Sequence, residues 1–216
     1  MKRERITITI DTDLLPAVDK LIDKETIRNR SHALEYAVRR GLALQELTSV
    51  FFIQGEKILN PEVTEKLAHL CGQFPLRAVY GIATTAQAAS AQLWQQSFAQ
   101  HLSNQVESRL LPADFGTATA LLLEKETVSP LFLLINLDRV ITLPENLLPS
   151  FTFHLQQNAT LTHLVETNGT TFTPSGISIV SKEILSSIPA GRAELEGNVF
   201  PLLAKLGKVS TYVYSL

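Results

Sequence analysis

Strict alternation of apolar and polar residues opens the chain. Ile6, Ile8 and Ile10 fall on one side of an extended segment, and Arg5, Thr7 and Thr9 fall on the other. The period then changes. Asp11, Thr12 and Asp13 supply N-cap chemistry, and Leu14, Val18, Leu21 and Ile22 recur at helical spacing. After a break at residues 25–29, Asn29 is placed to cap a second helix whose apolar stripe is Leu34, Ala37, Val38, Leu42 and Leu44. One strand and two short helices cannot bury a core alone. The pattern therefore predicts a dimer in which two copies of the strand pair antiparallel, with the isoleucines packed on the helices. The opposite face of that ribbon carries two guanidinium groups and four hydroxyls from Arg5, Thr7 and Thr9. A two-stranded ribbon is thin enough to enter a DNA major groove.

From Val50 onward, short apolar runs alternate with helical stretches. Strands are expected over 50–53, 76–83, 106–110, 131–136, 160–166, 177–180 and 209–214. Helices are expected over 61–71, 85–101, 116–127 and 144–157, with two small ones before the last strand. Such alternation argues for an α/β layer fold with a mostly parallel sheet. Two domains are expected, 1–46 and 50–216, with a short joint and no internal repeat.

The first 46 residues resemble the ribbon-helix-helix family of DNA-binding repressors. That resemblance assigns base reading to Arg5, Thr7 and Thr9, and phosphate contact to Asn29, Arg30 and Ser31 at the start of the second helix. The physics agrees with the second assignment: backbone N–H groups and the positive dipole end at a helix start attract an anion. Phosphate contacts fix register while contacts to bases specify sequence. Lys2 and Arg3 stand where an N-terminal arm would touch phosphate as well.

Residues 50–214 resemble the nucleotidyltransferases that make nucleoside-diphosphate sugars. Phe115-Gly-Thr-Ala-Thr-Ala-Leu121 is similar to that family's Leu-Gly-Thr-Ala-Gly-Ala motif, where a helix start approaches the nucleotide base. Leu133 to Asp138 matches a strand ending in Gly-Asp, whose Asp holds magnesium in the family. The stretches 175–180 and 199–201 resemble its closing segment. The resemblance thus implies a Rossmann-like, nucleotidyltransferase-type α/β domain, with Gly55, Gly116, Thr117 and Asp138 as candidate ligand contacts. The departures bear on activity. The family's Gly-Gly-x-Gly-Thr-Arg loop cradles a triphosphate through backbone N–H groups, and its Arg stabilises developing charge. Here the same place reads Ile53-Gln-Gly-Glu-Lys57: one glycine remains, the Arg is absent, and Glu56 brings negative charge. The sugar-phosphate Glu-Lys-Pro segment and the late Trp-x-Asp ligand have no counterpart. Asp138 alone is a poor magnesium site. No catalytic residue, metal or cofactor is therefore expected, and the expectation is a protein that is not an enzyme.

Charge and cysteine content narrow the partners. Net charge is −2 over 216 residues, with net +1 in residues 1–46 and net −3 in the remainder. Moderate affinity per dimer is expected, raised by higher oligomers on tandem sites. The single cysteine, Cys71, excludes an internal disulfide and a zinc cluster. No apolar run approaches a membrane span and no signal peptide is expected, which suits a cytoplasmic protein. Together these features predict a homodimeric transcriptional regulator, a repressor, on a palindromic double-stranded operator. Its inactive nucleotidyltransferase-like domain would sense a nucleotide or sugar nucleotide, or drive oligomerisation. The alternatives are an active nucleotidyltransferase with altered chemistry and an antitoxin-like or partner-binding scaffold.

Overall fold

The computed structural model describes residues 7–22, 24, 27–55, 60–102, 106–140 and 143–215, with the backbone alone described at 39, 40 and 42–46. The chain divides into two compact units, Met1–Leu42 and Ala43–Leu216.

In the first unit, a 3-10 turn, Thr12–Leu14, leads into helix α1, Leu15–Lys20. The carboxylate of Asp11 accepts from the Asp13 N–H at 3.2 Å, as the N-cap chemistry predicts. Helix α2, Arg30–Glu46, begins after Asn29, whose Oδ1 accepts from the His32 N–H at 3.0 Å. Val18, Ile27 and Ala33 are buried together, with Leu21, Ile22, Leu34 and Tyr36 packed around them. Ile27 lies in the break between the stripes, where periodicity gives no signal. Thr7 to Asp11 form no strand in the single chain, contrary to the alternation. The physical reason is that a ladder needs a second strand. Ile6, the first residue of that apolar face, lies outside the described residues. A cluster this small contributes about 1.5–3 kcal/mol for each large buried side chain. Ordering a residue costs about 1.5 kcal/mol, so the cluster does not balance the helices it joins. Ile8, Leu14 and Val38 remain more than half exposed.

The second unit is an α/β fold with a seven-stranded mixed sheet among the described residues, in the order β3-β2-β1-β4-β6-β5-β7. The strands are β1 (Leu47–Ile53), β2 (Ala78–Ala83), β3 (Glu107–Pro112), β4 (Leu131–Asn136), β5 (Leu161–Thr167), β6 (Phe172–Ser181) and β7 (Val209–Tyr214). Strand pairs β1–β2, β1–β4, β2–β3 and β5–β7 are parallel; β6 runs antiparallel to both β4 and β5. Helices α3 (Pro61–Cys71), α4 (Ala88–Gln100), α5 (Thr117–Leu122), α6 (Leu148–Gln157) and α7 (Phe200–Lys205) connect and cover them.

The central strands read as unbroken apolar runs because both faces of the sheet are covered. Val50 and Phe52 of β1, with Leu133 and Ile135 of β4, enter one core with residues of α3, α4 and α6. Phe51, Phe132 and Leu134 enter the other, with residues of α5 and α7. Phe52 meets Trp94 and Phe98 edge-on, with ring centroids 4.7 Å apart in both cases. Phe51 stacks on Tyr80 at 4.4 Å.

Candidate functional site

The strand order reverses at β1: the chain leaves it for β2 on one side, while β4 returns on the other. In open α/β sheets, ligands bind outside the carboxyl ends of strands at such a switch point. Ile53 ends β1, Asn136 ends β4, and both line a crevice of about 330 Å³. Its walls are mostly apolar, from Leu134, Leu164, Val165, Ile177 and Phe200. Its polar groups come from Asn136, Arg139, His163, Ser178, Glu196 and Thr211.

These polar groups are held by one another. The Glu196 carboxylate accepts from Asn136 Nδ2 at 2.9 Å and from Arg139 Nη2 at 2.6 Å. His163 of β5 and Ser178 of β6 are direct cross-strand partners, and His163 Nδ1 lies 2.9 Å from Ser178 Oγ. The His163 ring also meets Phe200 edge-on at 5.2 Å. Burial pushes the His163 imidazole below its ordinary value; the Glu196 carboxylate opposes that shift and the Arg139 guanidinium adds to it. His163 is thus held neutral near pH 7.

The four ligand contacts expected from sequence fall into two places. Gly55 and Asp138 meet: a Cβ on Gly55 would stand 1.6 Å from Asp138 Oδ2, so only glycine lets that carboxylate lie against the end of β1. Glu56 and Lys57 lie outside the described residues. Gly116 and Thr117 meet a different neighbour, the segment from Ala193 to Leu195. Gly116 takes φ +102°, and a Cβ there would fall 2.2 Å from the Ala193 carbonyl oxygen. The Thr117 N–H and hydroxyl donate to Glu194 Oε2 at 3.0 and 2.9 Å, and the Ala118 N–H donates to the Ala193 carbonyl at 3.0 Å. The donors that the motif would offer to a base are engaged by the chain itself.

Asn136, Arg139, His163, Ser178 and Glu196 were missed as site residues. Asn136 carried the one available signal, a polar residue closing the apolar run Leu131–Ile135. Glu196 carried none, since its partners lie 57 and 60 residues earlier.

In the first unit, Thr7 and Thr9 are exposed, as are Asn29, Arg30 and Ser31; Lys2, Arg3 and Arg5 lie outside the described residues. Arg30 is not a bare cation. Its Nε and Nη2 donate to the two Asp19 carboxylate oxygens at 2.7 and 2.8 Å. That pairing holds the Asp19 carboxyl below its usual range and joins α1 to α2. The α2 start therefore presents Asn29 and Ser31 beside a guanidinium already engaged by a carboxylate.

Two buried groups are structural. Cys71 is fully buried, and burial pushes its thiol up to about 12, which makes it inert as a nucleophile. His154 is 1 % exposed and is pushed by burial down to about 4. Its ring lies between Thr162 Oγ1 at 2.7 Å and Ser181 Oγ at 3.0 Å. Among the described residues, no three His, Cys, Asp or Glu side chains are grouped to hold a metal ion, and no helix is long and apolar enough to cross a membrane.

Comparison with known proteins gives two separate likenesses. No protein-family model matches it. Over 39 residues of the N-terminal region it is 51% identical to the nickel-responsive regulator of Brucella melitensis and to the putative nickel-responsive regulators of Brucella ovis and Brucella canis. The match takes in 18% of this chain and 30% of the length of those relatives. The second likeness is to solved structures and takes in most of the chain. A putative glucose-1-phosphate thymidylyltransferase from Bacillus anthracis superposes with a TM-score of 0.51 at 13% identity, over 78% of this chain and 87% of that one. Glucosyl-3-phosphoglycerate synthase from Mycobacterium tuberculosis superposes with a TM-score of 0.54 at 14% identity, over 84% and 74%.

The fold is thus a Rossmann-like α/β architecture of the nucleotidyl- and glycosyltransferase kind. The expectation of a protein that is not an enzyme is corrected here: the solved structures sharing this architecture are themselves enzymes, so the fold is an enzyme fold. The departures that motivated the expectation concern one loop and a few ligands, and Glu56 and Lys57 of that loop lie outside the described residues.

Proposed function

We propose that the chain is a homodimeric, sequence-specific DNA-binding transcriptional regulator, a repressor in the cytoplasm, whose α/β unit binds a nucleotide-type ligand at the switch-point crevice. The observation that carries the reading is the 51% identity over 39 residues to nickel-responsive regulators. Three features of the first unit support it. Exposed Ile8, Leu14 and Val38 suit a second copy as partner. In this reading Arg5, Thr7 and Thr9 read bases from the paired ribbon, and Lys2 and Arg3 of the N-terminal arm touch phosphate. Asn29 and Ser31 at the α2 start are placed to contact phosphate. The response to nickel belongs to the matched relatives; the matched stretch spans 30% of their length and does not bring it here.

A ligand regulates DNA binding only if it binds the competent and incompetent states unequally. In this reading a nucleotide or sugar nucleotide binds the α/β unit, with Gly55 and Asp138 near its phosphates, and shifts that balance or the assembly of dimers into higher oligomers. In-vitro selection from random duplexes tests the DNA half: enrichment of an inverted repeat is expected, and a pool with no enriched sequence overturns it.

A second reading, group transfer by the α/β unit, is favoured by the fold of the solved enzymes. Release of pyrophosphate or nucleoside diphosphate from a nucleotide substrate, lost in Asp138→Asn, would support it. No product from any nucleoside triphosphate or sugar nucleotide would count against it.

A further inference from the structure

We infer that Glu196 decides which chemical group the crevice accepts: by engaging the Arg139 guanidinium and the Asn136 amide, it makes the crevice take an uncharged, hydrogen-bonding group and turn away a phosphate. The inference rests on the reading that this crevice is where a ligand sits, and it names the part of the ligand that enters.

The geometry of the lining carries it. Arg139 is the permanent cation among the crevice residues, and Glu196 is the carboxylate among them. The two are paired at 2.6 Å, so the lining sums to neutral. An unpaired guanidinium at the end of a parallel strand would be a phosphate site, since its fork matches phosphate oxygens. Here that fork already holds a carboxylate, and a phosphate approaching it meets the Glu196 charge as well. The remaining polar groups, Ser178, Thr211 and the neutral His163 ring, both donate and accept, which suits hydroxyls and amides. Apolar walls between them fit the faces of an uncharged ring.

Glu196 is also held in position. It lies in the π-helical segment Leu195–Val199. The residue before that segment, Glu194, is tied through its carboxylate to Thr117, and its N–H donates to Asn198 Oδ1 at 2.8 Å. Glu196 therefore meets Arg139 from a backbone anchored next door, through Glu194 to Thr117 and Asn198. Its side chain is 43% exposed, so removing its charge leaves no carboxylate site buried and empty.

Isothermal titration of the full chain with inorganic phosphate, at fixed ionic strength, tests this. Wild type is expected to show no saturable binding. Glu196→Gln, which keeps the shape and removes the charge, is expected to gain at least about tenfold in phosphate affinity from the freed guanidinium. Arg139→Gln combined with Glu196→Gln is expected to lose that gain. Equal phosphate affinity in wild type and Glu196→Gln, or a gain that survives in the double variant, overturns the inference. Circular dichroism checks each fold, and Glu196→Ser removes the same charge should the Gln variant not fold. The two readings fail separately. If wild type binds no nucleotide-type ligand while Glu196→Gln gains phosphate, the proposed ligand is wrong and the role of Glu196 stands. If wild type binds such a ligand and Glu196→Gln gains nothing, the role of Glu196 is wrong.

Discussion

Acidification from pH 7.5 to 4.5 should cost this protein stability through the buried side chain of His154. Its ring is 1 % exposed, and burial pushes it down to about 4, against an ordinary histidine value of 6.5. The hydrogen bonds explain why the neutral form fits. Ser181 Oγ lies within donating distance of the Ala159 carbonyl at 3.3 Å, so it is free to accept from His154 Nε2–H, while Thr162 donates to Nδ1. A protonated ring would gain a second N–H facing Thr162 and lose hydration with no carboxylate partner among these contacts. The sign follows from proton counting. Below pH 6.5 the unfolded chain takes up a proton at this histidine, and the folded chain does not until pH approaches 4. Stability is therefore fully present above pH 6.5 and falls between 6.5 and 4. The gap is worth about 3 kcal/mol in full, of which about 2.5 kcal/mol is lost by pH 4.5. Urea denaturation at both pH values, on wild type and His154→Gln, isolates this contribution from His163 and the carboxylates common to both. Wild type should lose about 2.5 kcal/mol more than the variant. Equal losses would refute the assignment of a buried, neutral His154.

Three further outcomes are expected. Gly116→Ala, which puts a side chain at φ +102° and into the Ala193 carbonyl, should destabilise the α/β unit by about 3 kcal/mol or more in denaturant titration. Thr117→Val removes the hydroxyl shared by Glu194 Oε2 and the Leu195 N–H, and should cost about 1–3 kcal/mol by the same measurement. Val38→Asp, at a side chain 52% exposed in the single chain, should shift the protein from dimer to monomer in sedimentation equilibrium while leaving the α/β unit folded.

Much of the α/β unit was legible because its elements carry their own stop signals. Helix α3 spans Pro61–Cys71, as the sequence predicts; Asn60 caps it, its Oδ1 accepting from the Val63 N–H, and Gly72 follows its end. Strand β4 spans Leu131–Asn136 because an apolar run buried on both faces has only one place to go. Other boundaries moved where tertiary contacts took over. The helix expected over 116–127 ends at Leu122, and the chain turns there so that Glu124 reaches Arg109 and Thr127. The one expected from Pro144 begins at Leu148, after a loop in which Asn146 Oδ1 accepts from the Leu148 N–H. The N-terminal strand is a different case: its alternation is plain in sequence, but the ladder that would form it needs a second chain. The crevice was the least legible part. Spacing brings His163 to Ser178 only through the antiparallel register of β5 and β6, and brings Glu196 to Arg139 only through the return of the chain after β6.

The most direct test of the regulator reading is fluorescence anisotropy with a duplex recovered by in-vitro selection and a scrambled duplex of equal length, at one fixed salt concentration. Wild type should bind the selected duplex more tightly than the scrambled one, and Thr7→Ala with Thr9→Ala should weaken binding to the selected duplex alone, by about 1–3 kcal/mol. Equal affinity of wild type for both duplexes, or no loss in the double variant, would contradict DNA reading by the N-terminal ribbon.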